Sequence, residues 1–375
     1  MTADNPCDAL GDAIDAIDGI AREMLGSGAA AGIVVRAHRH GQVFFSMCRG
    51  FARKEGLIAE PMKIETSFDL ASLTKVFTAT AALHLVTLGR MTLDSALCDI
   101  DGLFGAARGP LSREAFGRIT IRSLLLHSSG LHYWYPFYAA GKADFFDILE
   151  DVMDRFPLEE GTVYSDLNFM LMGKAIEYAT GLPLDAAMRD LVFLPLCLRG
   201  ASFGAPHSQG PAAATEFGNR IERTMVDELG LSFDGWRDES RAISGEPDDG
   251  NCHYYFKGVS GHAGIFARAE DTCLLGDLYA CPGAWAEKGL TEYLSQDLAQ
   301  SAGCDFGEGR GLGFQAGELY PQGGFGHSGF TGTWLYVNPR LELSLAVLAN
   351  RLHVENPANI NAWRKKFAEA FLQNL

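Results

Sequence analysis

The 375-residue sequence is poor in positive charge: 31 lysines and arginines stand against 47 aspartates and glutamates, a formal net charge of −16. So acidic a chain is repelled by phosphate backbones and anionic bilayers, which argues against nucleic acid or an anionic membrane as its partner. No apolar run is long enough to cross a bilayer, so no integral membrane segment is expected. The N-terminal stretch MTADNPCDALGDAIDAIDGIARE has neither a basic start nor an apolar core of signal-peptide length, and the expectation is a cytoplasmic protein. The 8 cysteines include no C-x-x-C, and no C-x-x-C/H-x-x-x-H set occurs, so zinc is not expected from ligand spacing. Scattered cysteines in a chain this long fit a reducing compartment better than a disulfide framework. Internal repeats and low-complexity tracts are also missing.

What is present is 47% apolar composition, ample for one large core or two domains. DALGDAIDAIDGIAREMLG has helical apolar spacing and stops at Gly26. AAGIVVRAHRHGQVFFSMCRGFAR reads as a hairpin turning at His40-Gly41, with His38 and His40 in a solvated turn. ASLTKVFTATAALHLVTLGR is a helix ending at Gly89. Helices and loops alternate to about residue 205. Residues 205–257 are rich in Gly, Pro and acids and read as a long excursion over the surface. GVSGHAGIFARAED reads as a loop entering a helix. Two strands, GTWLYVNP and LELSLAVLAN, joined at Pro339-Arg340, precede a last amphipathic helix. The predicted fold is α+β: an antiparallel sheet flanked by terminal helices, with an inserted all-helical domain. The expected division is 1–92 with 305–375 for the sheet domain and 93–304 for the insertion.

Three short elements carry chemistry. Ser72 and Lys75 stand three apart where a helix begins, so the hydroxyl and the amine share one face. Burial of that lysine on an apolar face favours a neutral amine beside a hydroxyl. Tyr164 and Asp166, in VYSDLNFMLMG, precede an apolar helical run; a phenol there can shuttle protons if it faces Lys75. His327-Ser328-Gly329, in FGHSGFTGTW, is a glycine-rich strand along which a ligand backbone can approach. A rival H-x-G at His262 is kept as a supporting residue. The run HYWYPFY, which includes Trp134, offers a wall for an apolar acyl pocket. The acids from Asp144 to Glu160 read as a solvated helix face.

In that order, S-x-x-K, Y-S-D and H-S-G resemble the serine β-lactamase/penicillin-binding-protein superfamily, and more closely its class C-like branch of esterases and D-alanyl-D-alanine carboxypeptidases. The blocks TSFDLASLTKVFTA, GRMTLDSAL, ITIRSLLLHSSGLHYW, YSDLNFMLMGKAIEYATG and GVSGHAGIFARAED extend the resemblance over nearly the whole chain. It implies a sheet domain made from both ends of the chain, an inserted helical domain, and a site between them. It also implies roles: Ser72 as acylated nucleophile, Lys75 as its base, Tyr164 as proton relay, and the backbone N–H groups of Ser72 and Phe330 as oxyanion hole. No metal and no cofactor is implied.

Two positions depart from the family pattern. His327 stands where lysine is frequent, and a histidine supplies no permanent cation for a substrate carboxylate. Asp166 stands where lactamases usually carry asparagine; a carboxylate only accepts, so it either holds Lys75 protonated or orients it. The reading is a metal-free serine hydrolase acting on a small ester or amide, with neutral substrates preferred. The alternatives are a β-lactamase or D-alanyl-D-alanine carboxypeptidase, an acyltransferase, and a binding protein acylated once without turnover. The sequence is silent on oligomeric state.

Overall fold

The computed structural model describes residues 6–205, 211–282, 293–294, 296–304 and 307–373, with side chains from residue 14. The expected boundary at residue 305, and positions 206–210 of the acidic excursion, lie outside the described residues.

Helix α1 (Pro6–Gly26) leads into β1 (Gly32–Arg39), β2 (Gln42–Glu55) and β3 (Ile58–Pro61). The β1–β2 turn is where the sequence places it: His40 and Gly41 both have positive φ, 53° and 68°, as a two-residue hairpin turn requires. The sheet is completed from the other end of the chain. It runs in the order β3-β2-β1-β9-β8-β7, where β7 is Phe325–Ser328, β8 Thr333–Asn338 and β9 Leu343–Ala349. Every pairing is antiparallel, and β1–β9, Ile33 opposite Ala349, joins the two ends.

Alternation along β1 sorts the two faces. Ile33, Val35 and Ala37 pack with Ile17 and Met24 of α1 and with Phe367 of the last helix, while Val34 points into the larger core. That opposite face carries α9 (Ala269–Ala280), whose Cys273 Sγ reaches Arg36 O at 3.3 Å. Thus α9 lies inside the stretch expected as insertion, yet it packs on the sheet. His38 also departs from the expected solvated turn. It is 1% exposed, on β1, with Nδ1 at 2.7 Å from Asp277 Oδ2 of α9; only His40 is at the exposed turn.

Between the sheet segments lie β4 (Phe68–Asp69), α2 (Thr74–Thr87), α3 (Pro110–Arg118), α4 (Ile121–Leu125), α5 (Phe145–Arg155), α6 (Asp166–Thr180), α7 (Leu184–Met188), β5 (Ser202–Phe203), α8 (Arg220–Glu228), β6 (Ile265–Ala267) and α10 (Gln296–Ala302); α11 (Asn361–Gln373) closes the chain. The acids from Asp144 onward do cap and flank α5, Asp144 accepting from Phe146 N and Asp147 N. GVSGHAGIFARAED is not merely a loop: its β6 is the middle of a small antiparallel sheet, β4-β6-β5, which fixes the start of α2. Among the described residues, no helix is long and apolar enough to cross a membrane.

Candidate active site

The chain reaches Ser72 through a tight turn. After β4, Ala71 takes φ 46°, a left-handed conformation that an L-residue adopts only at a cost of about 1–2 kcal/mol. Its surroundings hold it there: Ala71 N donates to Asp69 Oδ1 at 2.9 Å, Leu70 N to Ile265 O at 3.0 Å, and Thr333 Oγ1 to Leu70 O at 2.9 Å. A 3-10 turn, Ala71–Leu73, then feeds α2, which is buried on nearly all sides. On the sheet side, Gly329 lies so close to Leu70 O and Thr333 Oγ1 that a Cβ has no room. The glycine of H-S-G is therefore needed to bring edge strand β7 against the Ser72 turn.

Lys75 is completely buried. Its Nζ lies 2.8 Å from Ser72 Oγ, 2.8 Å from Asp166 Oδ1 and 3.2 Å from His262 O. Three acceptors match the three N–H bonds of an ammonium. Burial pulls the Lys75 pKa down, but the Asp166 carboxylate and the Tyr164 phenol outweigh it, and the net shift is upward. The expected neutral amine is thus not the resting state: Asp166 keeps Lys75 protonated.

Tyr164 stands with its ring 5.1 Å from Lys75 Nζ and 5.0 Å from Arg310 Cζ, so it does lie between two cations. The second is an arginine that sequence reasoning missed. His327 is 1% exposed and lies behind Tyr164, ring centroids 6.1 Å apart, with Nδ1 donating to Ser328 O at 2.8 Å. Burial first, then Lys75, pushes its pKa well below 6.5, so it is neutral. His127, also missed, lies against Tyr164, ring centroids 4.6 Å apart and tilted by 37°, and accepts from Ser165 N at 3.1 Å. The His262 side chain turns away from the serine, to Ser260 Oγ at 2.7 Å and Asp249 Oδ1 at 2.9 Å; only its carbonyl meets Lys75.

Ser72, Tyr164 and Phe330 line two cavities at once. The first, of about 550 Å³, adds Ser328, Gly329, Arg310, Arg351 and Arg364. Arg351 Nε donates to Phe330 O at 2.6 Å, and Arg364 to Gly329 O and Thr333 O at 3.0 Å each, so these two brace the loop after β7. Phe330 N has no hydrogen-bond partner among the described residues, as an oxyanion donor requires. The second cavity, of about 190 Å³, has Trp134 as one wall, as the sequence suggests, and five carboxyl groups. Four of these come from residues 216–249, a stretch whose ends turn inward, Glu216, Asn219 and Asp248 being buried, while residues 227–242 run over the surface as expected.

Among the described residues, one group could be weighed as a metal site: Asp166, Asp249 and His262, whose ligand atoms lie within 4.8 Å of one another. It does not call for an ion, because Asp166 already faces the Lys75 ammonium and Asp249 already bonds His262.

A serine and a buried lysine at hydrogen-bond distance, in a cleft between a sheet edge and a helical layer, provide what covalent serine chemistry needs. Comparison with known proteins narrows the class. The chain belongs to the Beta-lactamase family, whose sequence model matches residues 17–370. It is 29% identical over 361 residues to "N-acetylmuramyl-L-alanine amidase" of Bacillus subtilis (strain 168), covering 87% of this chain and 80% of the relative. It is 28% identical over 369 residues to "Esterase EstB" of Burkholderia gladioli, covering 89% of each. Among solved structures, "EstCE1, a hydrolase with promiscuous acyltransferase activity" shares the fold with a TM-score of 0.72 at 20% identity, covering 96% of this chain and 99% of that one.

Proposed function

We propose that the protein is a serine hydrolase that forms an acyl-enzyme on Ser72 and releases it to water. The observation that carries this reading is the fully buried Lys75 Nζ at 2.8 Å from a Ser72 Oγ that opens into both cavities. In the resting pair Lys75 is an ammonium. Once it has lost a proton to solvent, the neutral amine takes the Ser72 proton as Oγ attacks the carbonyl. The N–H groups of Ser72 and Phe330 receive the oxyanion. Tyr164, between Lys75 and Arg310, returns the proton to the leaving group. His327 and His127 hold Tyr164 in place as neutral rings.

The substrate is a small ester or amide, and relatives named as an esterase and an amidase agree with either bond. A second reading, a peptidase for carboxylate-bearing substrates, is favoured by Arg310 and Arg351 on the first cavity. They offer the fixed positive charge that a buried neutral His327 cannot, and on this second reading carboxylate-bearing substrates are taken in preference to the neutral ones expected. Intact mass spectrometry after a fluorophosphonate should show one adduct, mapped to Ser72 and lost in Ser72→Ala. An adduct on Ser128, Ser165 or Ser328 would reject the assignment. A burst of one equivalent with no steady state would mean an acylated binding protein instead of an enzyme.

A further inference from the structure

The peptide that carries the second proposed oxyanion donor is held by a buried cation. Arg364, the fourth residue of α11, is 6% exposed. Its Nη1 donates to Asn361 Oδ1 at 2.8 Å, and its Nη2 to Gly329 O and Thr333 O at 3.0 Å each. None of these acceptors is a carboxylate, and the buried Nε meets no acceptor among the described residues. Burial lowers the Arg364 pKa only to about 10, so the group stays charged at pH 7. Burying a cation without a counter-charge is expensive, and a neutral amide could donate to the same carbonyls at less cost. The bonds alone therefore do not account for the charge.

Peptide geometry supplies a use for it. Gly329 O and Phe330 N–H belong to one planar trans unit and point to opposite sides. Gly329 O is drawn to Arg364 Nη2 and to Gly332 N, the latter at 3.2 Å. The Phe330 N–H is thereby aimed away from them, and Phe330 lines both cavities beside Ser72. A carbonyl that accepts from a cation also makes the N–H of its own peptide a stronger donor, because linked hydrogen bonds polarise one another. Thr331 Oγ1, donating to Asp69 O at 2.7 Å, ties the same turn to the approach to Ser72. We infer that Arg364 is a positioning residue for the oxyanion: through the Gly329 carbonyl it orients the Phe330 N–H and strengthens it as a donor. The inference rests on the hydrolase reading and adds to it a residue that acts without touching the reacting atoms.

Three variants separate the charge from the bonds. Arg364→Gln keeps a donor and removes the charge, Arg364→Lys keeps the charge, and Asn361→Asp leaves Arg364 in place but sets a carboxylate against its Nη1. Asn361 is exposed at the first position of α11, where an acidic residue suits the helix dipole, so Asn361→Asp decides the matter even if Arg364→Gln fails to fold. The readouts at pH 7 are Tm, kcat and KM for p-nitrophenyl acetate, and the affinity for phenylboronic acid. Ser72 Oγ adds to that boron and loses its proton, leaving a tetrahedral anion that needs the same donors. Arg364→Gln should lose about 10- to 100-fold in kcat and in boronic acid affinity, part of the 10²–10³-fold that a whole oxyanion donor is worth, with KM within about 2-fold. Arg364→Lys should recover most of that loss, and Asn361→Asp should lose about 10-fold in both with Tm unchanged or raised. Unchanged kcat and boronic acid affinity in Asn361→Asp overturn the inference, as do losses confined to KM or an Arg364→Lys no faster than Arg364→Gln. Fluorophosphonate labelling separates the two levels. A wild type labelled at Ser72 and active, whose variants keep their kcat, rejects the role of Arg364 alone. A wild type that shows neither labelling nor turnover rejects the hydrolase reading and the inference with it.

Discussion

Asp166→Asn separates the two things a carboxylate can do to the reacting lysine. Asp166 Oδ1 lies 2.8 Å from Lys75 Nζ. Unit charges at that separation attract by about 6 kcal/mol at an effective dielectric of about 20. The lysine is fully buried, but the aspartate side chain is 18% exposed, so solvent and rearrangement take back much of that energy. If one third survives, about 2 kcal/mol, removing it raises the neutral-to-charged ratio of Lys75 about 30-fold. Burial, until then outweighed, becomes the controlling influence, and a desolvated lysine sheds its proton rather than remain charged.

Formation of the acyl-enzyme should therefore accelerate at low pH. With p-nitrophenyl acetate in a stopped-flow burst experiment, the Asp166→Asn rate at pH 6 should exceed wild type by up to about 30-fold. The acidic limb should move to lower pH, and the two proteins should converge where wild-type Lys75 is itself deprotonated. Asp166 also occupies the first turn of α6, so the variant forfeits about 0.3–1 kcal/mol of helix-dipole interaction, visible as a small loss of Tm. A variant uniformly slower from pH 5 to pH 9, with its limb unmoved, would refute the reasoning and make Asp166 a group that only orients the lysine.

Lys75→Ala should slow acylation by about 10²–10⁴-fold, and Tyr164→Phe by less because the ring and its stacking survive; a near-normal burst in Lys75→Ala would remove the lysine from the mechanism. Arg310→Gln should lower kcat/KM for a carboxylate-bearing ester about 10-fold more than for its neutral analogue, and an equal loss on both would make Arg310 a support for Tyr164 only. Stability should fall as pH rises from about 6.5 to 8, and thermal melts can follow it. Burial first and Asp248 next push Asp69 up to about 7 and Glu216 up to about 8, so these groups bind protons in the folded state that the unfolded chain has already lost. Their stabilisation is complete below the ordinary carboxyl range and disappears through pH 7 and 8, at about 1.4 kcal/mol per pH unit for each proton. His127 and His327 act in the opposite sense below pH 6.5, where keeping them neutral costs stability, so a maximum near pH 6.5 is expected and a Tm that climbs toward pH 8 would contradict it.

Legibility followed the range of the interactions that decide each feature. The β1–β2 turn and α2 are specified by period and by glycine within a few residues, and the structure has them at the expected places. The Ser72–Lys75 pair was legible for the same reason, since three residues along a helix fix its geometry. The charge state of Lys75 was not, because it depends on a carboxylate 91 positions away that one turn of backbone brings to it. His38 was misread as solvated, and the buried Glu216 and Asp248 were hidden in a stretch read as a surface excursion, polar residues being mostly exposed. What buries them is distant: Asp277 on α9 for His38, and for Asp248 a backbone bond to Asp69, 179 residues earlier. Arg310 was missed because an arginine flanked by glycines carries no signal until the loop is folded over Tyr164.

The two cavities explain each other when their charges are taken together. Both include Ser72, Tyr164 and Phe330, so the proposed nucleophile, proton relay and oxyanion donor lie on their common border. One side presents Arg310 and Arg351, the other Asp248, Asp249, Glu216 and Glu222. Burial first pushes Glu216 up to about 8 and Glu222 and Asp248 upward as well, so near pH 7 the arginine side keeps its full charge while the acidic side keeps much less.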